Sequence, residues 1–254
     1  MKNRNLFTLI CIFTFIFNAF SQEFAYKLYT SKAREVSYAK MLKSIEKSDI
    51  ILFGEYHNNP ISHWLQLELT KSLNETRKLT LGAEMLEADN QEELNKFLKL
   101  EIDKIAFDTL VRLWPNYNTD YSPLVDYALE NNISFIATNI PRRYASMVYH
   151  SGFTILDSLS DKEKQWMAPL PIKYDSQLPG YKKIVEMMGG HGGDNLPKAQ
   201  AIKDATMAHF IVSNLKENYL FLHYNGAFHS NNYEGILWYL KKAKPDLTYF
   251  TITT

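Results

Sequence analysis

Short apolar runs alternate with longer stretches of helical periodicity along most of the chain. Ile50-Ile51-Leu52-Phe53 is uncharged and β-branched, the pattern of a strand buried on both faces. Leu79–Ala83, Ile133–Thr138, Tyr219–Tyr224 and Leu247–Ile252 repeat it at intervals. Between them, Ile61–Leu73 carries Leu65, Leu69 and Leu73 at four-residue spacing, one stripe of a helix. Helical patterns are also predicted over Lys32–Ser48, Gln91–Leu100, Lys104–Leu113, Pro123–Asn131, Lys198–Asn218 and Asn232–Lys242, and Pro141 suits a helix's first turn. Strands separated by helices predict an α/β fold: a mostly parallel central sheet with helices on both faces.

Two stretches break this rhythm. Between Ala168 and Pro197 lie half of the chain's 10 glycines and four of its 9 prolines, which predicts a long loop or lid around residues 168–197. At the start, Lys2 and Arg4 precede the uncharged run Leu6–Phe17, and Asn18-Ala19-Phe20-Ser21 places small residues before Gln22. This is the layout of a signal peptide cleaved after Ser21, and the run is shorter than the roughly 20 residues of a membrane span. Residues 22–254 then read as a single domain, exported to the periplasm or cell envelope. The only cysteine, Cys11, lies inside the apolar run rather than after it, so the product is not expected to be a lipoprotein.

Composition narrows the classes further. The 28 basic and 28 acidic residues balance, which argues against a nucleic-acid binder driven by charge. One cysteine cannot build a disulfide framework, a Cys-rich zinc module or a cysteine-ligated cluster. The sequence also lacks G-x-S-x-G, G-x-x-x-x-G-K-[ST], H-E-x-x-H and C-x-x-C-H.

The remaining chemistry gathers at the ends of the predicted strands. The first runs into Gly54-Glu55-Tyr56-His57, the second into Glu84, the third into Asn139 ahead of Arg142-Arg143, and the fourth into Asn225-Gly226-Ala227-Phe228-His229. In a parallel sheet these ends share one edge, where open α/β folds bind ligands. A glycine followed three positions later by histidine closes two of the strands. Glu55 and His57, two apart, point the same way if the strand continues, so the carboxylate can orient the imidazole or join it on a metal. His63 lies one turn into the next helix. Arg142 and Arg143 stand at a helix start, where the dipole disfavours a cation, and so call for an anionic partner. His191 sits in the run Gly189-Gly190-His191-Gly192-Gly193. His150, His209 and His223 read as packing or surface residues.

These motifs resemble the ChaN family of haem-binding uptake proteins, part of the Tiki/TraB superfamily. The resemblance rests on Gly54-Glu55-Tyr56-His57-Asn58-Asn59-Pro60 with His63, on Gly82-Ala83-Glu84-Met85 and on Ala137-Thr138-Asn139-Ile140-Pro141-Arg142-Arg143. Ala199–Ala208 and Asn225–His229 extend it, so that it spans about residues 45–250. It implies an exported α/β domain that binds haem in iron uptake, with a homodimer and an outer-membrane uptake receptor as partners. Some relatives ligate iron with tyrosine, but the resemblance singles out no tyrosine here. The haem-contacting set it suggests is Glu55, His57, His63, Glu84, Arg142, Arg143, His191 and His229, with the arginines facing the propionates. The wider superfamily implies an alternative: hydrolysis dependent on a divalent metal ion held by Glu55, His57, Glu84 and His229.

Overall fold

The computed structural model describes residues 25–187, 189 and 193–254. The predicted leader, residues 1–21, and His191 lie outside them. The chain divides into two compact units, one ending at Lys40 and one running from Met41 to Thr254.

In the first unit, β1 (Leu28–Tyr29) and β2 (Glu35–Val36) pair antiparallel. The helix predicted from Lys32 starts later, as α1 (Tyr38–Ile45). Residues 30–34 are held in a turn by Ala33 N donating to Thr30 O and Thr30 N donating to Arg34 O. Ala33 itself sits at φ 55°, a left-handed conformation that no helix accommodates.

The second unit is built on a parallel sheet of β3 (Ile50–Glu55), β4 (Lys78–Glu87), β5 (Ser134–Asn139), β6 (Tyr219–Gly226) and β7 (Tyr249–Thr253). Its order is β5-β4-β6-β3-β7, with every neighbouring pair parallel. All five predicted strands are present. Each runs past its predicted end: β4 furthest, to Glu87; β3 and β6 by two residues, to Glu55 and Gly226; β5 and β7 by one. The extensions of β3 and β4 carry Glu55 and Glu84 into the site described below. The chain leaves β4 for β5 at one edge and leaves β6 for β7 at the other. Neighbouring strands with opposite departures open a crevice between their C-terminal ends.

Alternate residues along each strand serve opposite faces. Ile50 and Leu52 of β3 and Phe221 of β6 form one core with Met207, Ala208 and Ile211 of α9 (Asn195–Ser213) and Ile236, Leu237 and Leu240 of α10 (Ile236–Ala243). On the other face, Tyr224 of β6 is fully buried and its hydroxyl lies 2.5 Å from Thr70 Oγ1 of α2 (Pro60–Asn74). Asn59 caps α2 and Pro60 opens it. Three helices, α3 (Gln91–Leu98), α4 (Lys104–Leu110) and α5 (Ser122–Glu130), fill the connection from β4 to β5. A further pair, α6 (Arg142–Ser151) and the single-turn α7 (Asp161–Lys164), follow β5. Along the outer edge of β5, the Gln91 side chain donates to Phe135 O at 3.0 Å and accepts from Ala137 N at 2.6 Å.

The 168–197 stretch is not loop throughout. Pro179–Met187 forms helix α8, and α9 begins at Asn195. Pro179 supplies the favoured first position of a helix, and the adjacent Gly180 N donates to Glu234 Oε2 at 2.6 Å. Tyr181 is buried, with its hydroxyl donating to Asp204 Oδ2 at 2.9 Å. Glycine and proline here mark the boundaries of a docked helix.

Candidate functional site

A cleft of about 680 Å³ lies over the C-terminal ends of β3, β4, β5 and β6. Glu55, His57, Glu84 and His229 all line it, together with Arg142, so five of the sequence-derived candidates meet in one place.

The two G-x-x-H motifs lie side by side because β3 and β6 are neighbours in register, Gly54 opposite Asn225 and Glu55 opposite Gly226. Each glycine makes room for the other motif. A Cβ on Gly226 would stand 2.7 Å from His57 Nε2 and 3.4 Å from Glu84 Oε2; one on Gly54 would stand 2.8 Å from Ser230 Oγ and 3.0 Å from Ala227 Cα. Side chains cannot approach so closely, so both glycines are needed for contact between the strands' ends.

Glu55 is buried at the end of β3. Its Oε1 lies 2.8 Å from His57 Nδ1 and accepts from the Tyr121 hydroxyl at 2.7 Å; its Oε2 accepts from Gln66 Nε2 at 2.5 Å. Behind it, His63 Nδ1 approaches Oε2 to 3.3 Å without hydrogen-bond alignment. Burial pushes the Glu55 carboxyl up, but the contacts with His57, His63 and Tyr121 outweigh it and hold the group at about 2. His63 shows the converse: burial lowers it, Glu55 raises it further, and the net direction is up. An ionised Glu55 requires a proton on His57 Nδ1. With Nδ1 turned to Glu55, Nε2 is the ring nitrogen left facing the cleft. The ring itself packs edge-on against Trp114 at 4.9 Å.

The second cluster is deeper. His229 Nε2 lies 3.1 Å from Glu84 Oε1 and its Nδ1 2.5 Å from Asp204 Oδ1. Glu84 Oε2 also accepts from Gly226 N at 2.7 Å. Burial lowers the affinity of His229 for its proton, but the two carboxylates outweigh it and raise the group to about 9. Burial likewise raises Glu84, yet His229, the Gly226 amide and Lys203 carry it far below its usual range. Asp204 lacks such amide support, and burial keeps it raised despite His229 and Tyr181. His229 is an imidazolium with both nitrogens engaged, and has no lone pair to give.

That protonation bears on a metal. Glu55 spends both oxygens on internal donors and His229 has none to offer, which leaves His57 Nε2 as the accessible nitrogen among the four proposed ligands. Among the described residues no three His, Cys, Asp or Glu side chains converge on one point. The donor set as folded does not fit a divalent ion.

Other candidates fall elsewhere. His63 is buried behind Glu55 and contacts Asp120 and His57 O. Arg143 turns away to Asp89 at 2.6 Å and lies over the rings of Tyr144 and Trp166. His223 is buried beneath the site, 2.8 Å from Thr138 Oγ1, and burial lowers it to about 4. Tyr121, Gln66, Asp204 and Lys203 also serve the site, although no strand-end motif marks them in the sequence. Asp204 and Lys203 lie in the quoted run Ala199–Ala208, whose length of helix places both near the strand ends. Tyr121 ends a stretch, Tyr117–Tyr121, wound as a π-helix, a local geometry frequent at functional sites.

Comparison with known proteins agrees with this architecture. Over 90% of its length the chain superposes on 89% of the haem-binding ChaN of Campylobacter jejuni, with a TM-score of 0.68 at 19% identity. The RRSP effector domain of a Vibrio vulnificus toxin aligns more loosely, at TM-score 0.47 and 13% identity over 78% of this chain and 31% of that one. Among curated proteins, RETICULATA-RELATED 5 of Arabidopsis thaliana is 27% identical over 128 residues, 47% of this chain but 17% of that much longer protein. The model of the haem-binding uptake family, ChaN, of the Tiki superfamily, matches residues 41–240. With its sheet, its paired G-x-x-H motifs and its strand-end cleft accounted for, the chain belongs to the ChaN family of haem-binding uptake proteins.

Proposed function

We propose that this protein binds haem in the strand-end cleft and serves in the uptake of haem iron outside the cytoplasm. The observation that carries the reading is the state of His57: Nδ1 is held by the ionised Glu55, and Nε2 is left for a ligand. A histidine whose second nitrogen is bound to a carboxylate is fixed in tautomer and orientation and is a stronger base toward a metal. Haem, if bound here, would supply an iron centre, and His57 through Nε2 is the residue that would hold it. Trp114, Ile140, Ile184, Met187 and Phe228 give the cleft apolar lining suited to a flat macrocycle, with Trp114 packed against His57. Cofacial haem binding by ChaN of Campylobacter jejuni, together with membership of the same family, supports the choice of ligand; a second copy of this chain and an outer-membrane uptake receptor are the partners proposed.

Titration of the protein with ferric haem, followed by absorbance, tests this. A Soret band saturating at one haem per chain is expected. His57→Ala should shift that band and weaken binding by about tenfold or more, the usual cost of losing a directional metal contact or its orienting shell. No spectral change at micromolar haem would overturn the reading, and an unchanged band in His57→Ala would remove His57 as the iron ligand.

Export rests on residues 1–21 and their charge, apolar run and small-residue boundary. Expressed with its leader, the protein is expected outside the cytoplasm with Gln22 as its first residue and no lipid attached; intact mass measurement decides this.

A further inference from the structure

Helix α8 forms part of the cleft wall, to which it contributes Ile184 and Met187. Its nine residues bury a single side chain, that of Tyr181. Lys182, Lys183, Glu186 and Met187 are exposed, and Ile184 and Val185 are half-buried. A helix of this length does not hold together in water on its own and takes its stability from the face it packs. The helix therefore stands or falls with the seat of one residue.

That seat is polar as well as apolar. The Tyr181 ring lies 5.7 Å from that of Tyr174, and its hydroxyl donates to Asp204 Oδ2 at 2.9 Å. Burial and the neighbouring Asp204 push that hydroxyl well above its ordinary range, so it stays a donor. The other oxygen of the same carboxylate, Oδ1, holds His229 Nδ1 at 2.5 Å, and His229 in turn reaches Glu84 in the cleft. A further tie, from Gly180 N to Glu234 Oε2 at 2.6 Å, fixes the first turn of the helix. At that turn a cavity of about 30 Å³ remains between Leu178, Tyr181, Phe228 and Asn231, so the helix is not closely packed where its hydrogen bonds act.

We propose that α8 is a gate on the cleft, latched by the Tyr181 hydroxyl on Asp204. The helix leaves its seat as a unit to let ligand in or out, and Asp204 joins that movement to the His229–Glu84 pair. A short element with one buried anchor belongs to the low-stability end of a fold, where opening takes far less than unfolding the sheet. The gate goes beyond the haem reading and rests on it only for the ligand used as a probe.

The test is Tyr181→Phe, which deletes one oxygen and keeps the ring. Lys182 and Lys183 become cleavage points for trypsin once the helix is off its seat, because a protease needs an opened stretch of backbone. In the ligand-free protein, cleavage there, located by mass, is expected to speed up about tenfold or more, the effect of losing a hydrogen bond to a charged group. Bound haem should slow the cut in the wild type. Transfer of haem from the loaded protein to excess apomyoglobin should speed up by a similar factor, with the Soret maximum in place because the iron side is untouched. Glu234→Ala, which removes the tie at the first turn, should act in the same direction on both rates. Unchanged cleavage at Lys182 and Lys183 in both variants would overturn the latch. Faster cleavage with haem transfer unchanged would overturn the gate and leave Tyr181 a structural anchor. If no Soret band forms, the haem reading fails by that result, and the cleavage rates alone uphold or overturn the latch.

Discussion

His229 shows how much one proton holds at this site. The ring joins Glu84 of β4 to Asp204 of α9, with both carboxylates buried. Removing the ring leaves two acids facing each other out of water; His229→Ala is expected to cost about 3–5 kcal/mol, measured by denaturant melts. The pH dependence follows from the folded-state shifts. His229 is raised from 6.5 to about 9, so its contribution is complete below its ordinary value and is lost as pH climbs through about 9. Glu55 is lowered from 4.5 to about 2, so its contribution holds above the ordinary carboxylate range and disappears as pH falls toward about 2. Asp204, raised by burial, has the reverse sign and regains some stability on acidification. Melting temperature should therefore peak between about pH 4.5 and 6.5, set by the ordinary values of the two dominant groups. A profile flat from pH 5 to 10 would contradict the doubly held imidazolium. Glu55, His57, Glu84 and His229 were legible in the sequence because each sits at a strand end, where topology alone decides the company it keeps. Tyr121 and Asp204 were not: each comes from a helical segment whose face is set by packing, and Asp204 reads in sequence as one charge on a long helix.

At the scale of elements, the strands were legible as uninterrupted apolar runs, and their parallel arrangement from the helices between them. Their ends were less so, because β4 runs on through Glu84 and Glu87, which find partners distant in sequence, and β6 through Asn225, held by the turn that follows it. The segment around α8 misled because punctuation by glycine and proline is shared by loops and by short docked helices; only the buried Tyr181–Asp204 contact distinguishes them. The meeting of β3 and β6 carries its own prediction. In Gly226→Ala the new methyl group would press on the His57 ring at 2.7 Å. That ring is partly exposed and has room to move, so the protein should fold with a loss of about 1–3 kcal/mol while the haem spectrum changes. Gly54→Ala meets the backbone of Ala227 at 3.0 Å as well as Ser230 and should be the more damaging of the two by thermal melting.

For the whole molecule, the cleft draws on all of the strand ends except that of the edge strand β7, so the site is a property of the assembled sheet. No helix among the described residues is long and apolar enough to cross a membrane, and the exposed Tyr56, Met187 and Phe228 lie at the cleft. The opposite margin of the sheet is treated differently. There the Gln91 amide occupies Phe135 O and Ala137 N as a neighbouring strand would. With two of its bonding groups already occupied, that border is a poorer template on which another chain can add as a strand. Self-assembly of this protein is thereby steered away from sheet extension on that side. Gln91→Ala, which uncovers the two groups, is expected to raise turbidity on storage while leaving haem uptake in the cleft intact.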